Sequence, residues 1–142
     1  METVHATTVA IDGKGVLLRG PSGSGKSDLA LRLIDDGAVL VSDDRTQLGL
    51  ESGHVVVGAP SPIVGRLEVR GVGIVRRPSI GAAPLGLVVD LVAADAVERL
   101  PAPASIDLLG VAIPRIHLAP FEASAPAKVR LAVGLGPDDI ER

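Results

Sequence analysis

The sequence predicts an α/β domain richer in strands than in helices, and three observations carry that expectation. A glycine-rich loop, Gly20-Pro21-Ser22-Gly23-Ser24-Gly25-Lys26-Ser27, stands between an apolar run and a segment with helical spacing. Short apolar segments recur through the rest of the chain, punctuated by glycine and proline. Only two stretches have the pattern of a helix. The expected architecture is a P-loop nucleotide-binding core on a strand-rich mixed sheet with few helices.

Taken in order, Thr7-Thr8-Val9-Ala10-Ile11 reads as a strand. Asp12-Gly13-Lys14-Gly15 reads as a hairpin turn into the apolar strand Gly15-Val16-Leu17-Leu18-Arg19. A helix starts near Lys26 and ends at Asp35-Asp36-Gly37, where Gly37 suits a left-handed C-cap. Ala38-Val39-Leu40-Val41 is a short strand that delivers Ser42-Asp43-Asp44-Arg45 at its C-terminal end, the edge where open α/β sheets bind ligands. Thr46 to Leu50 and His54 to Gly58 form a hairpin around Glu51-Ser52-Gly53. Pro60-Ser61-Pro62 opens a loop, and Leu67 to Val75 begins with strand-like alternation. Leu85-Gly86-Leu87-Val88-Val89-Asp90-Leu91-Val92 is almost wholly apolar and should be a central strand. Pro101, Pro103 and Pro114 bound an irregular stretch with a strand at Ile106 to Ile113. A last helix starts at Ser124, which can cap it, has Pro126 in its first turn and runs to about Val133. No repeat or linker divides the 142 residues, so one domain is expected.

The loop fits G-x-x-x-x-G-K-[ST] in its proper setting of strand, loop and helix. Glycines let successive backbone N–H groups curl around phosphate oxygens, and the helix N-terminus adds a favourable dipole. Lys26 would neutralise the outer phosphates, and the Ser27 hydroxyl would ligate Mg²⁺. A nucleoside triphosphate such as ATP is the expected ligand.

Composition narrows the partners. Hydrophobic residues make up 46% of the chain, but Phe121 is the single aromatic, so the core must be aliphatic. Stacking of bases on aromatic rings is nearly excluded, and a net charge of −3 gives no polybasic footprint. Nucleic acid is therefore not an expected partner. The absence of cysteine removes disulfides and thiolate metal sites. No signal peptide and no run of roughly twenty apolar residues is present, so no membrane association is expected and the cytoplasm is the default location.

Other residues could take part in chemistry. The adjacent Asp43 and Asp44 could divide the work, one holding Mg²⁺ through water and the other taking a proton from a nucleophile. Asp90 is a rival metal residue, but its strand continues, so its side chain could simply face outward. His5, His54 and His117 have no neighbours at metal-ligand spacing and read, alone, as solvated side chains. Glu68 and Arg70 stand two apart, on one face if the segment is a strand, an arrangement typical of an ion pair. Gly71 and Gly73 would allow close approach of a backbone or ligand.

Three ordered blocks resemble the catalytic domain of the bacterial HPr kinase/phosphorylase family. They are the P-loop, Leu40-Val41-Ser42-Asp43-Asp44-Arg45, and Leu67-Glu68-Val69-Arg70-Gly71-Val72-Gly73-Ile74, and the resemblance spans about His5 to Val92. It implies a nucleotide site like that of phosphoenolpyruvate carboxykinase. The implied activity is ATP-dependent phosphorylation of a serine on the phosphocarrier protein HPr, together with a reverse phosphorolysis that releases pyrophosphate. The implied catalytic set is His5, Lys26, Asp43, Asp44, Glu68 and Arg70. Gly20 to Ser27 would hold the nucleotide, and Ser27 and Asp44 the Mg²⁺. Lys128 or Arg130 could match a loosely placed active-site arginine. The resemblance further implies a short form: a catalytic domain without the family's N-terminal domain and with its C-terminal helices truncated, as in some alphaproteobacteria, self-associating to an unknown size.

Two other readings remain at this point. One is a small-molecule kinase or nucleotide hydrolase on the same fold, though no Asn-Lys-x-Asp guanine motif occurs. The other is a regulatory module that senses nucleotide without catalysis.

Overall fold

The computed structural model describes residues 1–141. Its strands are β1 (Glu2–Ile11), β2 (Lys14–Arg19), β3 (Val39–Ser42), β4 (Arg45–Glu51), β5 (His54–Gly58), β6 (Arg66–Val69), β7 (Gly73–Arg76), β8 (Ala83–Leu91), β9 (Ser105–Leu108) and β10 (Val111–Leu118). Two α-helices, α1 (Lys26–Asp35) and α2 (Ala125–Gly134), accompany them among the described residues. The strand-rich, mixed α/β character expected from the sequence is present.

Across the central layer the strands lie in the order β3, β1, β2, β8, β10. β2, β8 and β10 run parallel, while β1 is antiparallel to both of its neighbours. The sheet also curls back on itself. The first residues of β1 pair with β4, β4 pairs with β5, and β5 reaches Ala83 and Pro84 of β8, which pairs with β2. The pairing circuit β2-β1-β4-β5-β8-β2 is thus closed.

This closure explains the long apolar runs. Val16, Leu18, Val89 and Leu91 face α1 and α2, where they pack with Leu29, Leu33, Val129 and Val133. Leu17 and Val88, on the opposite face, join Val41, Leu48, Val55 and Val57. Strands covered on both faces lose polar alternation, which is why β2 and β8 read as continuous hydrophobic segments. The apolar segment beginning at Leu85 is central, as expected.

Local chemistry ends α1 where the sequence indicates. Gly37 adopts φ 107, its N–H donates to Ile34 O, and Ala38 N–H donates to Leu33 O. This is a Schellman closure, and it turns the chain directly into β3.

Four details differ from the sequence expectation. β1 begins at Glu2 rather than Thr7, because Glu2 to His5 gain ladder partners in Arg45 to Leu48 that no local pattern reveals. The segment from Leu67 is a separate hairpin, β6–β7, that reverses through Gly71 at φ 89 and rests on α1 with Leu67 fully buried. Ile106 to Ile113 is also a hairpin, turning at Leu109 and Gly110 with φ 52 and 82, after which β10 continues past Pro114 to Leu118. Ser124 occupies the N-cap of α2, but its backbone is already helical and its hydroxyl makes no capping bond. No helix among the described residues is long and apolar enough to cross a membrane.

Candidate active site

The P-loop connects the end of β2 to the start of α1, with Gly23 and Gly25 at φ 81 and 99. Those angles favour residues without a side chain and turn the loop's amides inward. Close packing also demands glycine at Gly20, where an added Cβ would lie 2.5 Å from Ser24 Oγ. Lys26 is only 6% exposed, and its Nζ donates to the carbonyl oxygens of Gly20 at 2.7 Å and Pro21 at 3.0 Å. Burial pushes this ammonium below its ordinary value, against the opposing pull of the Asp44 and Asp43 carboxylates.

β3 brings the two carboxylates to the loop, and the structure gives them different surroundings. Asp43 is 8% exposed and fully engaged. Its Oδ1 accepts from Ser27 Oγ at 2.7 Å and from Thr7 Oγ1 at 3.0 Å, while its Oδ2 accepts from the Glu68 amide at 2.9 Å. Asp44 adopts φ 69, a left-handed conformation that aspartate tolerates better than most residues. That conformation turns its side chain outward, where it is 62% exposed and Oδ1 lies 2.7 Å from His5 Nε2. The Asp44 amide donates to Thr7 Oγ1 at 3.0 Å, so a single threonine touches both halves of the pair.

His5, Lys26, Ser27, Asp43 and Asp44 therefore form one cluster around the loop. Ser27 meets Asp43 rather than Asp44, which pairs with His5. Glu68 reaches the cluster through its main chain, and its side chain is exposed. Arg70 lies in the turn beyond β6, also exposed, and no Glu68–Arg70 ion pair forms among the described residues. Lys128 and Arg130 are occupied elsewhere. Lys128 pairs with Glu122 at 3.6 Å, and Arg130 pairs with Asp36 at 2.6 Å, at the end of α1 remote from the loop.

Asp90 does not face outward as a bare strand residue. Arg19 holds both of its oxygens, at 2.8 and 3.0 Å, and Arg115 donates to Oδ2 as well. Burial alone would raise this carboxyl, but the hydrogen bonds and charges of Arg19 and Arg115 outweigh it and hold the group below the ordinary 3.8. With both oxygens committed, Asp90 is a structural anchor and not a metal residue.

Thr7 is the site residue that sequence reasoning misses. It sits in a strand where threonine is unremarkable, and the available signal is two adjacent threonines, Thr7 and Thr8, both fully buried in the fold. Thr8 is absorbed by Thr46, with their hydroxyls 2.8 Å apart, whereas Thr7 serves the carboxylates.

The donor set fits a hard cation. A hydroxyl and a carboxylate, Ser27 and Asp43, are already in contact, and oxygen ligands of this kind suit Mg²⁺. Among the described residues no group of three His, Cys, Asp or Glu side chains is assembled, so such an ion would also draw on phosphate and water oxygens.

Comparison with known proteins agrees with this geometry. The family model described as HPr Serine kinase C-terminal domain matches residues 1–123. The HPr kinase/phosphorylase of Bordetella pertussis is 40% identical over 128 residues, covering 82% of this chain and 42% of that protein. The HPr kinase/phosphorylase of Lacticaseibacillus casei is 43% identical over 74 residues, covering 51% of this chain and 23% of that protein. The chain thus spans less than half the length of these relatives. A solved structure of the Hpr(Ser) kinase/phosphatase from Coxiella burnetii superposes with a TM-score of 0.82 at 28% identity, covering 94% of this chain and 88% of that one. With its P-loop joined to the Asp43–Asp44 pair through the Ser27 hydroxyl and the family model matching residues 1–123, the chain belongs to the HPr serine kinase C-terminal domain family.

Proposed function

We propose that this chain transfers the terminal phosphoryl group of ATP to a serine of an HPr-type phosphocarrier protein, acting as a single catalytic unit over residues 1–142. The observation that carries the reading is the contact between Ser27 of the P-loop and Asp43, with the exposed Asp44 beside it. Kinship with proteins named HPr kinase/phosphorylase supports the choice of acceptor.

In this reading the amides of Gly20 to Ser27 hold the polyphosphate, and Lys26 exchanges its loop carbonyl partners for phosphate oxygens. Ser27 and Asp43 would hold Mg²⁺, which when bound would offset charge on the phosphates. Asp44 faces solvent, where an incoming protein serine can reach it. The serine oxygen attacks the γ-phosphorus, the bond to the β–γ bridging oxygen breaks, and Asp44 takes the hydroxyl proton while His5 keeps the carboxylate oriented. The exposed side chains of Glu68 and Arg70 lie at the rim, in reach of the acceptor or of the inorganic phosphate used in the reverse reaction. Positioning and electrostatics do most of this work, so a small rigid core suffices.

The same reading makes the chain a cytoplasmic protein with neither nucleic acid nor membrane as partner. The exposed Val72, Ile74 and Leu131 support a homo-oligomer.

The deciding experiment supplies labelled ATP, Mg²⁺ and HPr from the same organism to the wild type and to Lys26→Ala. Label on an HPr serine, lost with Lys26, is the expected result. ATP binding without transfer to HPr would overturn the assignment in favour of a nucleotide sensor or a kinase for another acceptor.

A further inference from the structure

The backbone between β3 and β4 makes a strained reversal. Arg45 N–H donates to Asp43 O at 2.8 Å and closes a three-residue turn around Asp44, whose φ is 69. A γ-turn with positive φ is rare and costly for a residue with a side chain, and it persists only where surrounding groups hold it. Two groups of β1 do so here. Ala6 N–H donates to Asp44 O at 3.0 Å, and Asp44 N–H donates to Thr7 Oγ1 at 3.0 Å. Asp44 is thereby gripped by its carbonyl and by its amide.

The same hydroxyl reaches the other carboxylate. Thr7 is fully buried, and its Oγ1 donates to Asp43 Oδ1 at 3.0 Å. A hydroxyl carries one proton. Asp44 N–H points at the oxygen's lone pair, so that proton is committed to Asp43 and the direction of both bonds is set. Ser27 Oγ donates to the same Oδ1 at 2.7 Å, which leaves its lone pairs free for a hard cation.

Thr8 supplies the comparison. It is equally buried, but its hydroxyl lies 2.8 Å from Thr46 Oγ1, and Thr46 donates onward to Ala6 O. That pair ties β1 to β4 and serves neither carboxylate.

We propose that Thr7 is a positioning residue for phosphoryl transfer. Its hydroxyl locks the strained turn that turns Asp44 outward, and at the same time holds Asp43 against Ser27. The inference rests on the roles proposed above, with Ser27 and Asp43 toward Mg²⁺ and Asp44 as the base. Valine at this position keeps the shape and loses both bonds. The Asp44 amide is then left without its partner, and the turn can relax toward ordinary φ, carrying the outer carboxylate away from the acceptor. Serine keeps both bonds.

Transfer to HPr over a range of Mg²⁺ concentrations, measured for wild type, Thr7→Val, Thr7→Ser and Thr8→Val beside thermal melts, tests the role. Thr7→Val should lower turnover by about ten- to a hundred-fold, the scale of hydrogen bonds to a charged group. It should also raise the Mg²⁺ concentration for half-maximal rate several-fold. Thr7→Ser should restore both to within a few-fold of wild type. Thr8→Val should melt lower, as Thr7→Val does, yet keep wild-type turnover and Mg²⁺ dependence. One readout needs no variant. The Asp44 amide should be protected from hydrogen exchange although its side chain is 62% exposed. Free exchange at that amide would overturn the lock, as would a Thr7→Val protein that behaves like Thr8→Val. If Asp43→Asn and Asp44→Asn also leave turnover intact, the reading of the site itself has failed. If those two impair transfer and Thr7→Val does not, the role of Thr7 alone falls.

Discussion

The backbone N–H of Glu68 donates to Asp43 Oδ2 across 2.9 Å, so the β6–β7 hairpin steadies the buried carboxylate with its main chain. Glu68→Ala keeps that donor, whereas Glu68→Pro deletes it. Proline is tolerated in a short two-stranded ribbon when the lost N–H points away from the partner strand. Kinase turnover should therefore fall about ten-fold in Glu68→Pro beyond whatever Glu68→Ala costs, the scale of one hydrogen bond to a charged group. Steady-state assays with HPr as acceptor, alongside thermal melts to confirm folding, check this. Identical turnover in the two variants would show that the amide contact has no kinetic role.

The differing surroundings of Asp43 and Asp44 lead to separable phenotypes. Asp44→Asn should leave Mg·ATP affinity within a few-fold of wild type and lower turnover by about 10²–10⁴, the usual range for a lost general base. Asp43→Asn should instead weaken Mg²⁺-dependent nucleotide binding, because it disturbs the carboxylate that Ser27 touches. Nucleotide affinities and single-turnover rates for both variants decide, and the reverse pattern would exchange the two roles.

Asp90 is 15% exposed and carries two guanidinium groups, so Asp90→Asn should destabilise the fold by about 2 kcal/mol at neutral pH. The pH dependence has a definite sign. The folded-state carboxyl is held below 3.8, so its stabilisation is complete above that value and is lost as pH falls through the folded-state value. Denaturant melts from pH 7 down to pH 3 should show the gap between wild type and variant narrowing only below about pH 4. A gap that stayed constant would remove Asp90 from the ion-pair account.

Gly25→Ala meets two obstacles, a left-handed φ of 99 and the Phe121 ring. The backbone part alone should cost about 1–2 kcal/mol. Adding Phe121→Ala should recover the steric part, so a double-mutant cycle on melting free energies should give a clear coupling. Strict additivity would mean that the ring gives way freely.

Residues whose role depends on near neighbours in the chain were legible in the sequence. The P-loop signature includes its own strand and helix, and Gly37 ends α1 by a rule that spans a few residues. Asp43 and Asp44 were legible as a pair because a short apolar strand delivers them. Their different surroundings were not, because those depend on Thr7, Ser27 and the Glu68 amide meeting from three separate elements. The same reason hid the anchoring of Asp90, whose partners Arg19 and Arg115 come from strands on either side. The family signature around Gly71 marked a segment whose Glu68 amide touches Asp43. Its side-chain spacing suggested an ion pair, but its contact with the site runs through the backbone.

The closed circuit of β2, β1, β4, β5 and β8 has a consequence for how copies of the chain can meet. Strands that donate along both sides offer no unsatisfied ladder to a stray strand, which is the usual route to sheet extension and fibrils. Among the described residues, β3 and β9 each join the large sheet through one partner strand, and at four residues each they are too short to template much. Assembly is thereby steered toward side-chain surfaces, and the strands that carry the P-loop and Asp90 are spared from misjoining while the chain is crowded.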